Sequence, residues 1–296
     1  MKIKSITKIE PKIYTGTWQS LVKLPRSWFD KFGVVICDEA HHAKSTSIKK
    51  IMENMVNTPY RFGFTGSLDG TETNEMVIEG LFGPTKSFVT TIELIKKGIV
   101  SDFKINAILF QYSDEYRKLL YKVDYDKEID FIVGFEPRNK FIRNLAVSLK
   151  GNTLLLFRYI DKHGKILYDM LKDADRKVFF VTGKMEGEER NEIRKIIDKE
   201  SDAIVIASEG TSKEGINIPN LHNIILASPS KSRVNIKQMI GRVIRKHESK
   251  TEATVFDLVD DLKWKKRNNI TLNHFKDRLK IYINEEFKYK IYPVRL

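Results

Sequence analysis

From Pro137 onward the chain alternates between two kinds of segment, and this alternation restricts the fold more than any other feature. Short apolar runs occur at Thr153–Phe157, Lys177–Val181, Ala203–Ala207, Asn223–Ala227 and Thr254–Leu258. Most are separated by stretches whose apolar residues recur at helical spacing, such as Phe141, Ile142, Leu145, Ala146 and Leu149 between Pro137 and Gly151, or Ile236, Met239, Ile240 and Val243. Pro137 suits a first helical turn, where its missing N–H costs nothing. Runs without polar alternation are buried on both faces, and helices between them are the crossovers that parallel strands require. The pattern predicts an α/β fold, a parallel sheet flanked by helices.

The first hundred residues read as part of a second such sheet. Val34–Cys37 reads as a buried strand, a helix follows near Ser47–Met55, and a second strand lies near Arg61–Phe64. Phe103–Tyr112 is expected to carry the chain from one unit to the other, which places a boundary near residue 99 and gives units 1–98 and 99–296. No internal repeat or low-complexity tract is present.

The length of 296 residues suffices for two domains with filled cores. A single cysteine, Cys37, excludes a disulfide framework and suits a reducing compartment. No apolar run approaches the ~20 residues of a membrane span. The start, MKIKSITKIEPK, lacks the apolar core of a signal peptide, so a cytoplasmic, non-membrane protein is expected. The net charge of +13 favours a polyanionic partner. Lys231–Lys250 holds seven Lys/Arg against one Glu, and Lys263–Arg267 adds a second basic cluster.

Four segments fall at strand ends, the edge of an open α/β sheet where ligands bind. "VVICDEAHH", Val34 to His42, runs from apolar residues into Asp38 and Glu39. A carboxylate there can hold Mg²⁺ on a nucleotide, and its neighbour can orient an attacking water. Thr65-Gly66-Ser67 follows the next strand and offers small hydroxyls on a loop that can approach a ligand closely. "ASEGTSKEGINIPNL", Ala207 to Leu221, adds two glycines and phosphate-binding hydroxyls, among them Thr211. "QMIGRVIRKH", Gln238 to His247, is expected on a helix with Arg242 and Arg245 three apart on one face, suited to neutralising charge during phosphoryl transfer. Each segment alone suits a solvated turn or helix face; their ordered occurrence along two sheet-like units points to a nucleoside-triphosphate motor.

"DEAH", "TGS", "EGTSKEGI" and "QMIGRVIR" resemble motifs II, III, V and VI of the superfamily 2 helicases. "LLLFRYIDKHGKIL" resembles motif IV, and "TGTWQS", Thr15 to Ser20, resembles a DNA-contacting motif of the first domain. "FGFTGSLDG", "RNKFIRNLA", "NLHNIILA" and "IGRVIRKHESKTEATVFDLVDD" look like the UvsW-type recombination and repair helicases of T-even-like phages. The resemblance covers nearly the whole chain. It implies RecA-like parallel sheets, one motor domain partial and one complete, with ATP in the cleft between them. By position, Asp38 would hold Mg²⁺ through water and Glu39 would activate the hydrolytic water. His41, Thr65 and Ser67 would couple nucleotide state to DNA. Gly215 would sense nucleotide from the second domain, with Gln238, Arg242 and Arg245 facing the triphosphate. Thr17, Gln19, Thr65, Ser67 and Thr211 would lie near nucleic acid. Such helicases remodel forks, Holliday junctions, displacement loops and RNA–DNA loops; a phage-encoded one would work in the bacterial host's cytoplasm.

One departure stands out. The phosphate-cradling Gly-x-x-x-x-Gly-Lys-Ser/Thr loop is absent, and Gly183-Lys184 is followed by Met185. The resemblance therefore implies that the Walker A part belongs to a segment outside these residues, including the case of a separate polypeptide. Two other readings stand beside the helicase: a non-catalytic DNA-binding or interaction remnant, and a motor subunit of a restriction or translocase complex.

Overall fold

A computed structural model describes residues 13–66, 72–183, 187–214, 218, 220–229 and 233–296. The chain divides into two compact units, Met1–Lys86 and Ser87–Leu296. The division lies ahead of the sequence-based boundary because Thr91–Lys96 belongs with the second unit: Ile92 and Ile95 pack on that unit's core.

In the first unit, β1 (Val34–Cys37) and β2 (Tyr60–Gly63) form a two-stranded parallel sheet, with Val34 opposite Tyr60 and Cys37 opposite Gly63. Around it lie the single turn α1 (Trp18–Leu21), α2 (Thr46–Asn54) and α3 (Glu72–Phe82). The Ser45 hydroxyl accepts the Ile48 N–H and starts α2, whose Ile48, Ile51 and Met52 pack with Phe29, Met55 and Ile78. The strand expected to be buried on both faces is not. Val34 and Ile36 are 51% and 66% exposed, and Tyr60, Phe62 and Phe64 are exposed beside them. Only the alternate side chains meet the helices: Val35 packs on the core, so the sheet has one covered face.

The second unit is a seven-stranded sheet, parallel throughout, in the order β5-β6-β4-β7-β8-β3-β9. Its strands are β3 (Asp102–Gln111), β4 (Asn152–Phe157), β5 (Val178–Val181), β6 (Ile204–Ser208), β7 (Leu221–Leu226), β8 (Glu252–Asp261) and β9 (Tyr289–Arg295). Each apolar run after Pro137 is a strand, as expected. Phe103–Tyr112, expected to be a connector, is instead an interior strand paired with β8 along ten residues. Its period-2 pattern explains this: Phe103, Ile105 and Ala107 enter one core, while Ile108, Phe110 and Tyr112 enter the other. β9 closes the edge, where Pro293 costs no ladder bond with a further strand.

Helices cover both faces. On one side lie α4 (Thr91–Lys96), α9 (Gly187–Ile197), α11 (Arg233–Val243) and α12 (Ile270–Asn284). The other carries α5 (Asp114–Leu119), α6 (Tyr125–Gly134), α7 (Glu136–Ser148) and α8 (Lys165–Leu171). The turn α10 (Glu209–Glu214) follows β6. This doubly wound parallel sheet is RecA-like. Two buried ion pairs tie helices to β8: Arg138 of α7 grips Asp260 through Nε and Nη2 at 2.8 and 3.1 Å, and Arg278 of α12 grips Asp257 at 3.0 and 2.8 Å. Tyr112 and Tyr282 complete them by donating hydroxyls to Asp260 and Asp257. Burial, with the carboxylate beside each ring, raises both phenol pKa values well above normal. Among the described residues no helix is long and apolar enough to cross a membrane.

Candidate nucleotide and nucleic-acid sites

In the first unit the chain reverses sharply after β1. Glu39 is left-handed, at φ 52°, a backbone shape uncommon outside glycine. The reversal is fastened to the neighbouring strand's exit: Ala40 N–H donates to Phe64 O at 2.9 Å, and Phe64 N–H donates to Cys37 O at 2.8 Å. Gly63 makes the close approach possible, because a Cβ there would stand 2.9 Å from the Ala40 Cβ and 3.0 Å from the Phe82 ring.

This turn brings three predicted residues together. His41 Nδ1 lies 3.0 Å from Thr65 Oγ1 and 3.1 Å from a Glu39 carboxylate oxygen. The ring is buried, and its backbone carbonyl accepts the Asn74 amide. Asp38 stays exposed, with one carboxylate oxygen accepting the Glu39 N–H at 2.9 Å. Burial, and then the charge of Asp38, push the Cys37 thiol pKa up, so Cys37 is a small packing residue. Gln19 sits exposed on α1 and Thr17 exposed just ahead of it, its hydroxyl donating to Ser20 Oγ at 3.1 Å. Ser67 lies outside the described residues.

In the second unit the motif-bearing segments leave the carboxyl ends of β4, β6 and β7. Thr211, expected to face nucleic acid, is turned inward. Its hydroxyl is 2.6 Å from Ser208 Oγ and buried, so the side chain fastens the β6–α10 junction. Gly215 lies outside the described residues. On α11, Ile236, Met239, Ile240 and Val243 face the core, leaving Gln238 and Arg242 half-exposed on the other side. The helix ends at Val243, so Arg245 is not on it as the spacing suggested; it is exposed in the turn beyond. Two donors end the helix by taking its last carbonyls. Lys250 Nζ bonds Val243 O at 2.6 Å and Leu221 O at 2.8 Å, and Ser101 N–H bonds Ile244 O at 2.7 Å. Burial, then the neighbouring Arg245, lower the Lys250 pKa to about 8.

Two contributors were missed in the sequence, Lys250 and His163. His163 lies in a π-turn, Ile160–Gly164, after β4 and is fully buried. Its Nδ1 is 3.0 Å from Ser228 Oγ and its Nε2 is 3.2 Å from Asn139 Oδ1. Ser228 in turn accepts the Arg158 N–H at 3.0 Å, so one imidazole joins α7, the exit of β4 and the exit of β7. Periodicity carried no sign of this, because a lone His beside Gly reads as surface loop.

Residues 137–247 match the family described as "Helicase conserved C-terminal domain", and residues 2–69 match "Type III restriction enzyme, res subunit". The ATP-dependent DNA helicase uvsW of Enterobacteria phage T4 is 38% identical over 98% of this chain. The chain belongs to the superfamily 2 helicases. It spans 60% of that phage relative's length. The crystal structure of T4 UvsW superposes with a TM-score of 0.58 at 35% identity, covering 95% of this chain and 57% of the other. The Type ISP restriction-modification enzyme LlaBIII bound to DNA shares the fold, with a TM-score of 0.61 at 16% identity over 94% of this chain and 23% of its own.

The donors present in this helicase chain suit a magnesium-bearing nucleotide rather than a caged metal. Among the described residues no group of three or more His, Cys, Asp and Glu could hold an ion. Asp38 and Glu39 instead offer two adjacent carboxylates on one exposed turn. Mg²⁺ keeps most of its waters and takes one or two carboxylates together with substrate phosphates, which fits that pair.

Proposed function

We propose that these units belong to the motor of an ATP-dependent DNA helicase or translocase that remodels branched DNA: forks, Holliday junctions, displacement loops and RNA–DNA loops. The observation that carries this reading is the Glu39–His41–Thr65 contact, which ties a candidate catalytic carboxylate to a second loop through one buried imidazole. ATP with Mg²⁺, when bound, supplies the phosphoryl group whose transfer to water releases the driving free energy. Asp38 would hold the metal through water. Glu39, released from His41, would take a proton from the attacking water. His41 would pass a change at Glu39 to the Thr65 loop. Gln238, Arg242 and Arg245 would face the triphosphate, the arginines countering charge that develops on the transferred group. Thr17, Gln19, Thr65 and Ser67 are the proposed nucleic-acid contacts. Thr211 would shape its loop rather than touch the strand, and Gly215 would sense nucleotide.

No Gly-x-x-x-x-Gly-Lys-Ser/Thr occurs in the sequence, which favours a second behaviour for these residues by themselves: nucleic-acid binding without turnover. Without successive backbone N–H donors and a lysine on the phosphates, nothing positions the group that the arginines would stabilise. The test is ATP hydrolysis with and without branched DNA, first by the chain alone and then with the phosphate-loop segment of the 38%-identical phage relative supplied in trans. Hydrolysis stimulated by DNA should appear only in the second case. Strong turnover by the chain alone would refute the need for that segment, and binding of no nucleic acid at all would refute the helicase reading.

A further inference from the structure

The second unit carries a basic feature away from the motif-bearing loops. Those loops leave β4, β6 and β7, whereas this feature is built after β8 and β3, on the far side of β7. All the strands are parallel, so both groups share one sheet edge. β8 stands next to β7 and three strands from β6, about 14 Å from the latter at ~4.8 Å per strand.

After β8 the chain makes a tight hairpin. Trp264 and Arg267 exchange both backbone hydrogen bonds at 3.1 Å, leaving Lys265, at φ 52°, and Lys266 at the tip. Its base is fixed from two sides. Arg117 of α5 donates Nε–H to Lys263 O at 2.7 Å, and the Leu262 N–H bonds the buried Asn269 Oδ1 at 3.0 Å. Asn269 donates in turn to Glu128, a buried carboxylate that also accepts the Ile270 and Thr271 N–H groups at the start of α12. Cations crowd this support. Lys118 Nζ is 5.0 Å and Arg117 Cζ 5.9 Å from the Trp264 ring centroid, and Lys122 Nζ is 5.3 Å from that of Tyr121. Two nearby carboxylates are already engaged: Asp114 pairs with Arg117 at 2.9 Å, and Asp261 accepts the Lys263 N–H at 3.1 Å. Among the described residues no ion pair engages Lys118, Lys122, Lys263, Lys265, Lys266 or Arg267.

We propose that this hairpin surface docks duplex DNA through its phosphate backbone, as a contact separate from the motif-bearing loops; it rests on the nucleic-acid reading above. Single strands are gripped by stacking bases on open aromatic faces. Here Lys118 and Arg117 stand over the Trp264 ring and Lys122 over Tyr121, so the protein's own cations compete for the faces on which bases would stack. What remains is a rigid array of lysine and arginine charges, which reads backbone rather than bases. A tip only two residues wide suits the phosphate rows bordering a groove.

The test uses the 296-residue chain with a blunt duplex and a single strand of equal length, each followed by fluorescence anisotropy over a salt series. Each lost phosphate contact removes ~0.9 from the slope of log affinity against log salt, so Lys265→Ala/Lys266→Ala should lower the duplex slope by about 2. The same change should weaken duplex binding roughly ten- to sixty-fold near ~0.1 M salt, with single-strand binding held within about twofold. The charge-matched control Lys276→Ala/Lys280→Ala on α12 should leave both unchanged. A parent that binds duplex and a variant with the same slope would overturn the hairpin assignment alone. Equal losses on both probes would also overturn it, by placing the hairpin on the single-strand track. A parent that binds neither probe would overturn the nucleic-acid reading and the hairpin with it.

Discussion

His163 is buried as a neutral imidazole, with its pKa lowered to about 3 by desolvation first and by the Arg138 charge second. Between pH 6.5 and about 3 the unfolded chain therefore binds a proton that the folded chain refuses. Stability must fall as pH drops through that window and is indifferent to this group above it. The slope is at most one proton, about 1.4 kcal/mol per pH unit. Urea unfolding of the parent and His163→Asn at a series of pH values should show the parent falling more steeply below 6.5; parallel curves would mean that the imidazole is hydrated. Two further changes test the proposed chemistry, with the phosphate-loop segment present. Glu39→Gln should stop hydrolysis yet permit ATP binding, and Arg242→Ala should cost about 10³–10⁵ in rate. Nucleic-acid affinity should be retained in both; a matched loss of affinity and rate in Arg242→Ala would assign that arginine to the nucleic-acid surface.

At the scale of elements, close approach and paired burial set the tolerances. The π-turn after β4 needs Gly164, since a Cβ there would stand 2.5 Å from the Phe157 ring, itself buried and stacked on Phe180. Gly164→Ala should cost about 1–3 kcal/mol of stability through overpacking, read as a lower urea midpoint with an unchanged m-value. The α12–β8 junction depends on a buried charge pair. Arg278→Met leaves Asp257 buried without its partner and should cost about 3–5 kcal/mol. Arg278→Met/Asp257→Leu should recover part of that loss, because an apolar pair of similar volume removes the charge penalty while the buried Tyr282 hydroxyl loses its acceptor. If the double variant were as unstable as the sum of the singles, packing rather than charge would hold α12 in place.

At the scale of the molecule the two units differ in how they close their cores. The second has helices on both faces of its sheet. The first leaves Val34, Ile36, Tyr60, Phe62 and Phe64 on an open face, and contiguous apolar surface of that kind promotes association. Ile36 and Phe62 are cross-strand partners, so Ile36→Lys/Phe62→Glu places an opposite-charge pair on that face. The variant should aggregate less on warming, by light scattering, while its circular dichroism is kept. Unchanged aggregation would locate the sticky surface elsewhere.

The order of short apolar runs and helical stripes, read from the sequence alone, already determined a parallel sheet in the second unit. That order is local: a run of Leu154, Leu155 and Leu156 can satisfy its surface only in a sheet covered on both sides. The Asp38–Glu39 turn was legible for a similar reason, since apolar residues ending in acids mark a strand exit. Only the tertiary structure decided where Phe103–Tyr112 goes, because its alternating pattern suits any strand and its partner β8 lies some 150 residues along the chain. The same holds for Arg245, placed beyond α11 by Lys250 and Ser101, and for His163, joined to Ser228 and Asn139. Ser101, Ser228 and Asn139 lie far in sequence from the groups they bind, and no local pattern encodes a partner at that distance.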